Sequence, residues 1–350
     1  MAYSPEQILH VWRRQANVCT RLGSPLYERL LSDLAQDIAE GGAFWRLLED
    51  WDGELDNSAL PLRVAGALHY LALKGDAPEL AALFPSCGGT RDDDKLQDAA
   101  RTTLTRSEDR IRPFLARPPQ TNEVARSGIL LGGFLEAARL SSLKLRPREV
   151  GSSAGLNQCW DLFNYEIAGQ RWGQQPSELV LRPEWHGGLP ALQQRVSVAS
   201  RGGCDLDPLD IRDPDVRLRL QAYVWPDQEL RLANLRAALK IALTTDVRVE
   251  QEAASRWTRR QLADRPSGEC IVIYHSIVRQ YFPPDEGAAF DGAIAEAGAT
   301  ATPDRPVAWL RVEQEKFEKP IELRLTMWPD GKDRLLAHAH PHGAVVNWFG

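Results

Sequence analysis

The stretch Arg148-Glu149-Val150-Gly151-Ser152-Ser153-Ala154-Gly155-Leu156-Asn157 constrains the fold more than any other. It follows a short apolar run (Leu143, Leu145, Val150) and precedes apolar residues at helical spacing (Leu156, Cys159, Trp160, Phe163). The spacing predicts a strand, a tight glycine turn and a helix. Gly151 and Gly155 let the backbone turn sharply and let a ligand approach main-chain N–H groups. From about residue 143 the chain alternates between strand and helix patterns, the grammar of an α/β sheet. Strands are expected at 145–150, 203–206, 246–250, 270–275, 307–312, 321–328 and 333–349. Helices are expected at 156–165, 213–243, 252–264 and 284–297. Pro329-Asp330-Gly331-Lys332 reads as the turn of an antiparallel hairpin joining the last two strands.

The first 142 residues have a different pattern. Ser4-Pro5-Glu6-Gln7 combines a capping serine, a proline at the first helical position and a glutamine three residues on. Ser24-Pro25 opens a second helix with apolar positions Leu26, Leu30, Leu31, Leu34 and Ile38, stopped by Gly41-Gly42. Further helices are expected at 62–73, 78–84, 96–115 and 122–140. The organisation is therefore an all-α N-terminal domain over residues 1–120. A Rossmann-like α/β domain follows over 121–350, with an insertion at about 166–200 that carries Trp172, Trp185 and His186-Gly187-Gly188.

Composition removes several function classes. The net charge of −6 gives no basic footprint for nucleic acid. Five scattered cysteines without a CxxC pair argue for a reducing compartment and against a zinc cluster or disulfide framework. No run of about 18 apolar residues is present, and Glu6, His10, Arg13 and Arg14 stand where a signal peptide needs an apolar core. A cytoplasmic protein acting on a small molecule is expected, with its oligomeric state open.

The motifs point to a cofactor site. Glu149 at the end of the strand would repel a phosphate in the turn, whereas a cationic or hydroxyl-rich ligand suits it. This favours S-adenosylmethionine over a nucleotide triphosphate. Gly203-Cys204-Asp205-Leu206-Asp207-Pro208 reads as the end of a second strand, where a carboxylate can accept both hydroxyls of a ribose. Asp205 is the better placed acid and Asp207 the weaker one, and either could instead cap the following helix. The acid lies about fifty residues past the glycine turn, where roughly 20 is usual. Glu252 can contact an adenine amino group or can serve the dipole of its own helix. His275, in Tyr274-His275-Ser276 at the end of the fourth strand, suits a general base or a satisfied structural histidine. Gln120, Asn122, Glu123 and Arg126 crowd a helix start: Glu123 is a catalytic candidate, the other three and Tyr281 candidates for substrate binding. His338, His340 and His342 would share one strand face, but Pro341 interrupts and no carboxylate or cysteine completes a metal set, so no metal is expected. Gly151-Ser152-Ser153-Ala154-Gly155 also fits G-x-S-x-G, the nucleophile elbow of serine hydrolases, with Ser153 as nucleophile. That reading needs strands before the elbow and an oxyanion loop, which the helical first 140 residues lack.

Taken together, Arg117-Pro118-Pro119-Gln120-Thr121-Asn122-Glu123, Glu149 to Asn157, Asp205 to Asp210, Val224-Trp225-Pro226-Asp227-Gln228, His275-Ser276 and His340-Pro341-His342-Gly343 resemble domain-of-unknown-function family 2332 of bacteria. That family carries no function with it. The C-terminal part is similar to class I S-adenosylmethionine-dependent methyltransferases: a mostly parallel sheet with a terminal antiparallel hairpin. The resemblance implies that Glu149, Gly151 and Gly155 hold the methionine end and Asp205 the ribose, with Glu252 a candidate contact to the adenine; Ser153, Asn157 and Leu206 beside them are further candidates for cofactor binding. The sequence departs from that pattern at three points. Ser153 replaces a middle glycine, the second acid comes late, and Pro147 falls within the central strand, where it cannot donate to a ladder. A methyltransferase on a small acceptor is expected; a non-catalytic cofactor-binding protein is the alternative beside the serine hydrolase.

Overall fold

The computed structural model describes residues 3–56, 58–173, 176–314 and 319–350. The chain opens with six helices: α1 (Pro5–Arg21), α2 (Pro25–Ala39), α3 (Ala43–Leu48), α4 (Leu60–Lys74), α5 (Pro78–Ala81) and α6 (Asp93–Leu115). Helix α7 (Arg126–Ser141) leads into β1 (Lys144–Val150), followed by the short strands β2 (Asn164–Ile167), β3 (Gln170–Trp172), β4 (Val180–Leu181) and β5 (Glu184–Gly187). Next come β6 (Gly202–Asp205), α8 (Pro214–Ala222), α9 (Glu229–Leu243), β7 (Val249–Gln251), α10 (Ala254–Ala263) and β8 (Glu269–Ser276). Helix α11 (Pro284–Ala299) precedes β9 (Val307–Glu313), β10 (Ile321–Trp328), β11 (Lys332–Ala339) and β12 (Val345–Trp348).

Two compact units result, one of Met1–Thr121 with Asp213–Ala233, the other of Asn122–Arg212 with Asn234–Gly350. The first is all helical. Ser4 and Gln7 form the reciprocal capping box at α1, and Ser24 caps α2. Segment 213–233 belongs here because Ala222 and Trp225 complete the same apolar core as Trp12, Tyr27, Leu68 and Phe84. The Trp225-Pro226-Asp227 motif is structural: the Asp227 carboxylate accepts from Ser24 Oγ at 2.6 Å and Leu26 N–H at 2.9 Å, fixing the start of α2. The single helix expected over 213–243 is two, since Pro226 biases the residue before it out of helical geometry.

The second unit is the α/β fold. Its nine-stranded sheet has the order β5-β12-β11-β10-β9-β8-β1-β6-β7. Strands β9-β8-β1-β6-β7 are mutually parallel, and β10, β11 and β12 add an antiparallel meander on β9. The run expected at 333–349 is therefore two strands, broken at the His340–Ala344 loop by Pro341 and by Gly343 at φ +70°. The insertion supplies β2, β3 and β4 as a separate small sheet, while β5 pairs with β12 at the edge of the large one. Pro147 does fall in the central strand. Leu145 N–H donates to Ser197 O, and alternation points the missing Pro147 N–H to the same side. There the ladder to β6 begins only at Arg148, so the proline sits in a gap.

Helices cover both faces of this sheet. On one, α10 and α11 enclose Val150, Ile271, Ile273, Trp257, Phe290 and Val307. On the other, α7 lies so close that a Cβ on Gly133 would overlap Leu310 Cδ1, and Leu310 is fully buried. Gly133→Ala should therefore lose stability: helix propensity returns about 1 kcal/mol, but overpacking costs typically about 1–3 kcal/mol. Gly292→Ala in α11, where an added Cβ meets nothing within 4 Å, is the matched control and should raise the melting temperature slightly. Equal shifts in the two variants would contradict this packing. Among the described residues no helix is long and apolar enough to cross a membrane.

Candidate functional site

In a doubly wound sheet, ligands bind at the carboxyl ends of the strands, where the strand order reverses. Here the reversal lies between β1 and β8, since the chain passes from β1 outward to β6 and β7 and then returns to β8 and β9. The register pairs Glu149 with Tyr274 and Val150 with His275. Register partners share a face, so Glu149 and Tyr274 point to the α7 side and His275 to the α10 and α11 side. Tyr274 packs edge-on to Phe134 of α7 at 5.1 Å, and His275 edge-on to Phe290 of α11 at 5.6 Å.

Glu149 is the unusual group in this crevice. It is buried, and its Oε2 has no hydrogen-bond partner. Burial pushes its pKa up to about 8, Asp205 adds to the rise, and Ser152, Tyr274 and Arg126 oppose it. Ser153 Oγ is likewise buried without a partner. Two non-glycine residues at these strand ends have left-handed backbone, Ser153 at φ +54° and Ile277 at φ +53°. For the β-branched Ile277 this is a genuine outlier, costing on the order of 1–3 kcal/mol, and such strain gathers at functional sites.

The glycine turn is built differently from the expected cradle. Gly151 and Ser152 N–H both donate to Cys204 O, and Ser153 N–H donates to Asp205 Oδ2 at 2.8 Å. These N–H groups are engaged with the end of β6 rather than presented to a ligand. Space beside the glycines is filled as well: a Cβ on Gly151 would overlap Val278 Cγ2, and one on Gly155 would meet Val247 Cγ1 at 2.6 Å. The expected helix at 156–165 is a 3-10 helix over Leu156–Leu162, ended where Phe163 turns extended.

The other candidate residues divide into three groups. Asp205 stands at the site, its Oδ1 accepting Asp207 N–H at 3.0 Å and its Oδ2 Ser153 N–H; each oxygen keeps acceptor capacity. Leu206 and Tyr281, following β6 and β8, are 71% and 69% exposed. Asn122, Glu123 and Asn157 are buried braces: Asn122 Oδ1 accepts Leu156 N–H, and Asn157 bridges Ser127 Oγ and Glu123 O. Glu123 Oε1 also accepts Ala125 N–H at 3.3 Å. Arg126 donates to Pro341 O at 3.0 Å and Ser276 O at 3.2 Å, holding the His340–Gly343 loop beside the end of β8. Gln120 lies half-buried at the end of the helical unit.

Glu252 and His275 depart from the roles expected of them. The Glu252 carboxylate is held by Arg256 at 2.8 Å and Arg260 at 2.7 Å, which keep its pKa low, so it serves its own helix rather than an adenine. His275 Nε2 accepts the Trp309 indole N–H at 3.0 Å, which places the proton on Nδ1, donated to Glu313 Oε1 at 2.6 Å. With both nitrogens engaged and the ring 1% exposed, His275 has no lone pair for a substrate proton and fits the satisfied structural histidine. Glu313 and Val278 contribute to the site without having been expected there. An acid closing the fifth parallel strand was the available signal for Glu313; nothing local marks Val278. His338 lies on β11 facing Glu322 and Phe349, apart from the loop residues His340 and His342, whose rings are 5.5 Å apart. Among the described residues no group of three or more His, Cys, Asp or Glu is placed to hold a metal ion.

Sheet order and strand-end residues together define a doubly wound α/β protein with the buried carboxyl group of Glu149 at its switch point. The chain belongs to the family described as uncharacterized protein conserved in bacteria (DUF2332), whose model matches residues 10–348. No curated protein matches it. A solved structure titled DhpI-SAM-HEP complex is similar, with 12% identity, over 60% of this chain and 75% of that one, at a TM-score of 0.23.

Proposed function

We propose that this protein binds S-adenosylmethionine in the crevice between β1 and β8 and transfers the methyl group to a small acceptor. One observation carries the reading: a buried carboxyl oxygen, Glu149 Oε2, at the end of the central strand with no partner of its own. An orphaned buried acceptor costs about 1–3 kcal/mol, which a bound ammonium group would offset. Ser153 Oγ offers a second contact to the same end of the ligand, and the remaining acceptor capacity of Asp205 suits ribose hydroxyls. When bound, the cofactor supplies an electrophilic sulfonium methyl. The protein's part is positioning and exclusion of water, with the exposed Leu206 and Tyr281 side chains as cover for the ligand's apolar parts.

Calorimetric titration with S-adenosylhomocysteine tests this. Micromolar binding is expected, weakened at least tenfold in Asp205→Asn, which keeps an acceptor oxygen for the turn. No heat and no shift in melting temperature would overturn the reading. Binding without methyl transfer to any acceptor would leave a cofactor-binding scaffold. The serine hydrolase reading has little support, because a nucleophile needs a base and Ser153 Oγ has no hydrogen-bond partner. Covalent labelling of Ser153 by an organophosphonate would revive it.

A further inference from the structure

Glu313 Oε1 gathers three donors: His275 Nδ1, Val278 N–H at 3.1 Å and Arg279 N–H at 3.3 Å. Between the first donor and the other two lies Ile277, left-handed at φ +53°, its N–H bound to Val312 O. Immediately after it, Val278 sets its isopropyl group against Gly151, with Cγ2 filling the space a Cβ there would need. A strained residue, a carboxylate that pins both sides of it, and an apolar side chain on the glycine turn form one device. We infer that Val278 is the gatekeeper of the crevice and Glu313 the latch that holds it on Gly151. This rests on the crevice being the ligand site proposed above. A ligand that lies along the turn must stop short of Gly151 or displace the 276–279 segment, and the size of residue 278 decides which. His275 is a positioning residue in this device: its ring, fixed by Trp309, orients the Glu313 carboxylate.

The test separates the gate from the identity of the ligand. Ser153→Cys, made with Cys87→Ala because the other natural cysteines are buried, places a thiol in the turn. Its labelling by iodoacetamide is followed by mass spectrometry. Adding Val278→Ala or Glu313→Gln should speed labelling at least tenfold, and hydrogen exchange of the 276–282 segment should rise in Glu313→Gln. The exchange measurement serves alone should the thiol variant fail to fold. Unchanged labelling in both variants, or unchanged exchange, would overturn the gate. Titration of the original protein and Val278→Ala with S-adenosylhomocysteine completes the design. Faster labelling with no binding by either would leave the gate and remove the cofactor reading. Binding by both with unchanged labelling would do the reverse.

Discussion

Glu149→Gln should make the protein more stable than the original at pH 8 to 9, and the advantage should vanish on approaching pH 4.5. Burial raises the Glu149 pKa from 4.5 to about 8 in the folded chain. The folded state therefore binds this proton more tightly than the unfolded state does. The stability contributed by the protonated form is complete below the unfolded pKa of 4.5 and is lost as pH rises through 8. A pKa difference of that size is worth about 3–5 kcal/mol. Glutamine is nearly isosteric and does not titrate, so it removes that slope. Denaturant unfolding of both proteins between pH 4.5 and 9 is the measurement, and parallel stability curves would refute it. The same burial gives a ligand ammonium its leverage, since a cation beside Glu149 would let it ionise.

His275→Ala should destabilise the sheet unit by about 3–5 kcal/mol. The substitution leaves a cavity beside the buried Phe290 and the half-buried Trp309. It also strips an acceptor from the Trp309 N–H and a donor from Glu313. His275→Gln keeps an oxygen within reach of Trp309 and should recover part of the loss. If His275 acted instead as a proton acceptor, both variants would fold with near-original stability and lose turnover alone. Thermal unfolding of the two variants decides between these outcomes.

Much of the architecture was legible because period and punctuation are local. The capping box at Ser4, the continuous apolar run of β8 and the turn at Pro329–Lys332 each follow from a handful of neighbouring residues. The parallel core and the carboxyl-edge location of Glu149 and Asp205 followed from the order of strands and helices. The short strands of the insertion were not legible. Val180–Leu181 and Glu184–Gly187 hold too few residues for a period to emerge, and they are strands only because β2 and β12 accept them. Within the site, sequence could mark Asn157 and Glu252 as polar groups near the turn. It could not reveal that Ser127, Glu123, Arg256 and Arg260 had already taken their bonding capacity. Glu313 illustrates the same limit, since its role arises from the pairing of β8 with β9, which sets His275 opposite Arg311 and within reach of the carboxylate two residues on.

The helical unit is discontinuous in sequence, and that bears on how the chain is made. Its apolar core lacks Ala222 and Trp225 until residues 213–233 have emerged, and 91 residues (122–212) separate them from Thr121. At typical synthesis rates of about 5–20 residues per second, the first six helices wait roughly 5–18 s for their last members. During that interval β1 and β6 also emerge, but β8, the neighbour on the other side of β1, does not. Neither unit can close vectorially while the ribosome is still on the first 212 codons. A nascent chain stalled there would present unfinished helical core and unpaired central strand together, the surfaces that holdase chaperones bind.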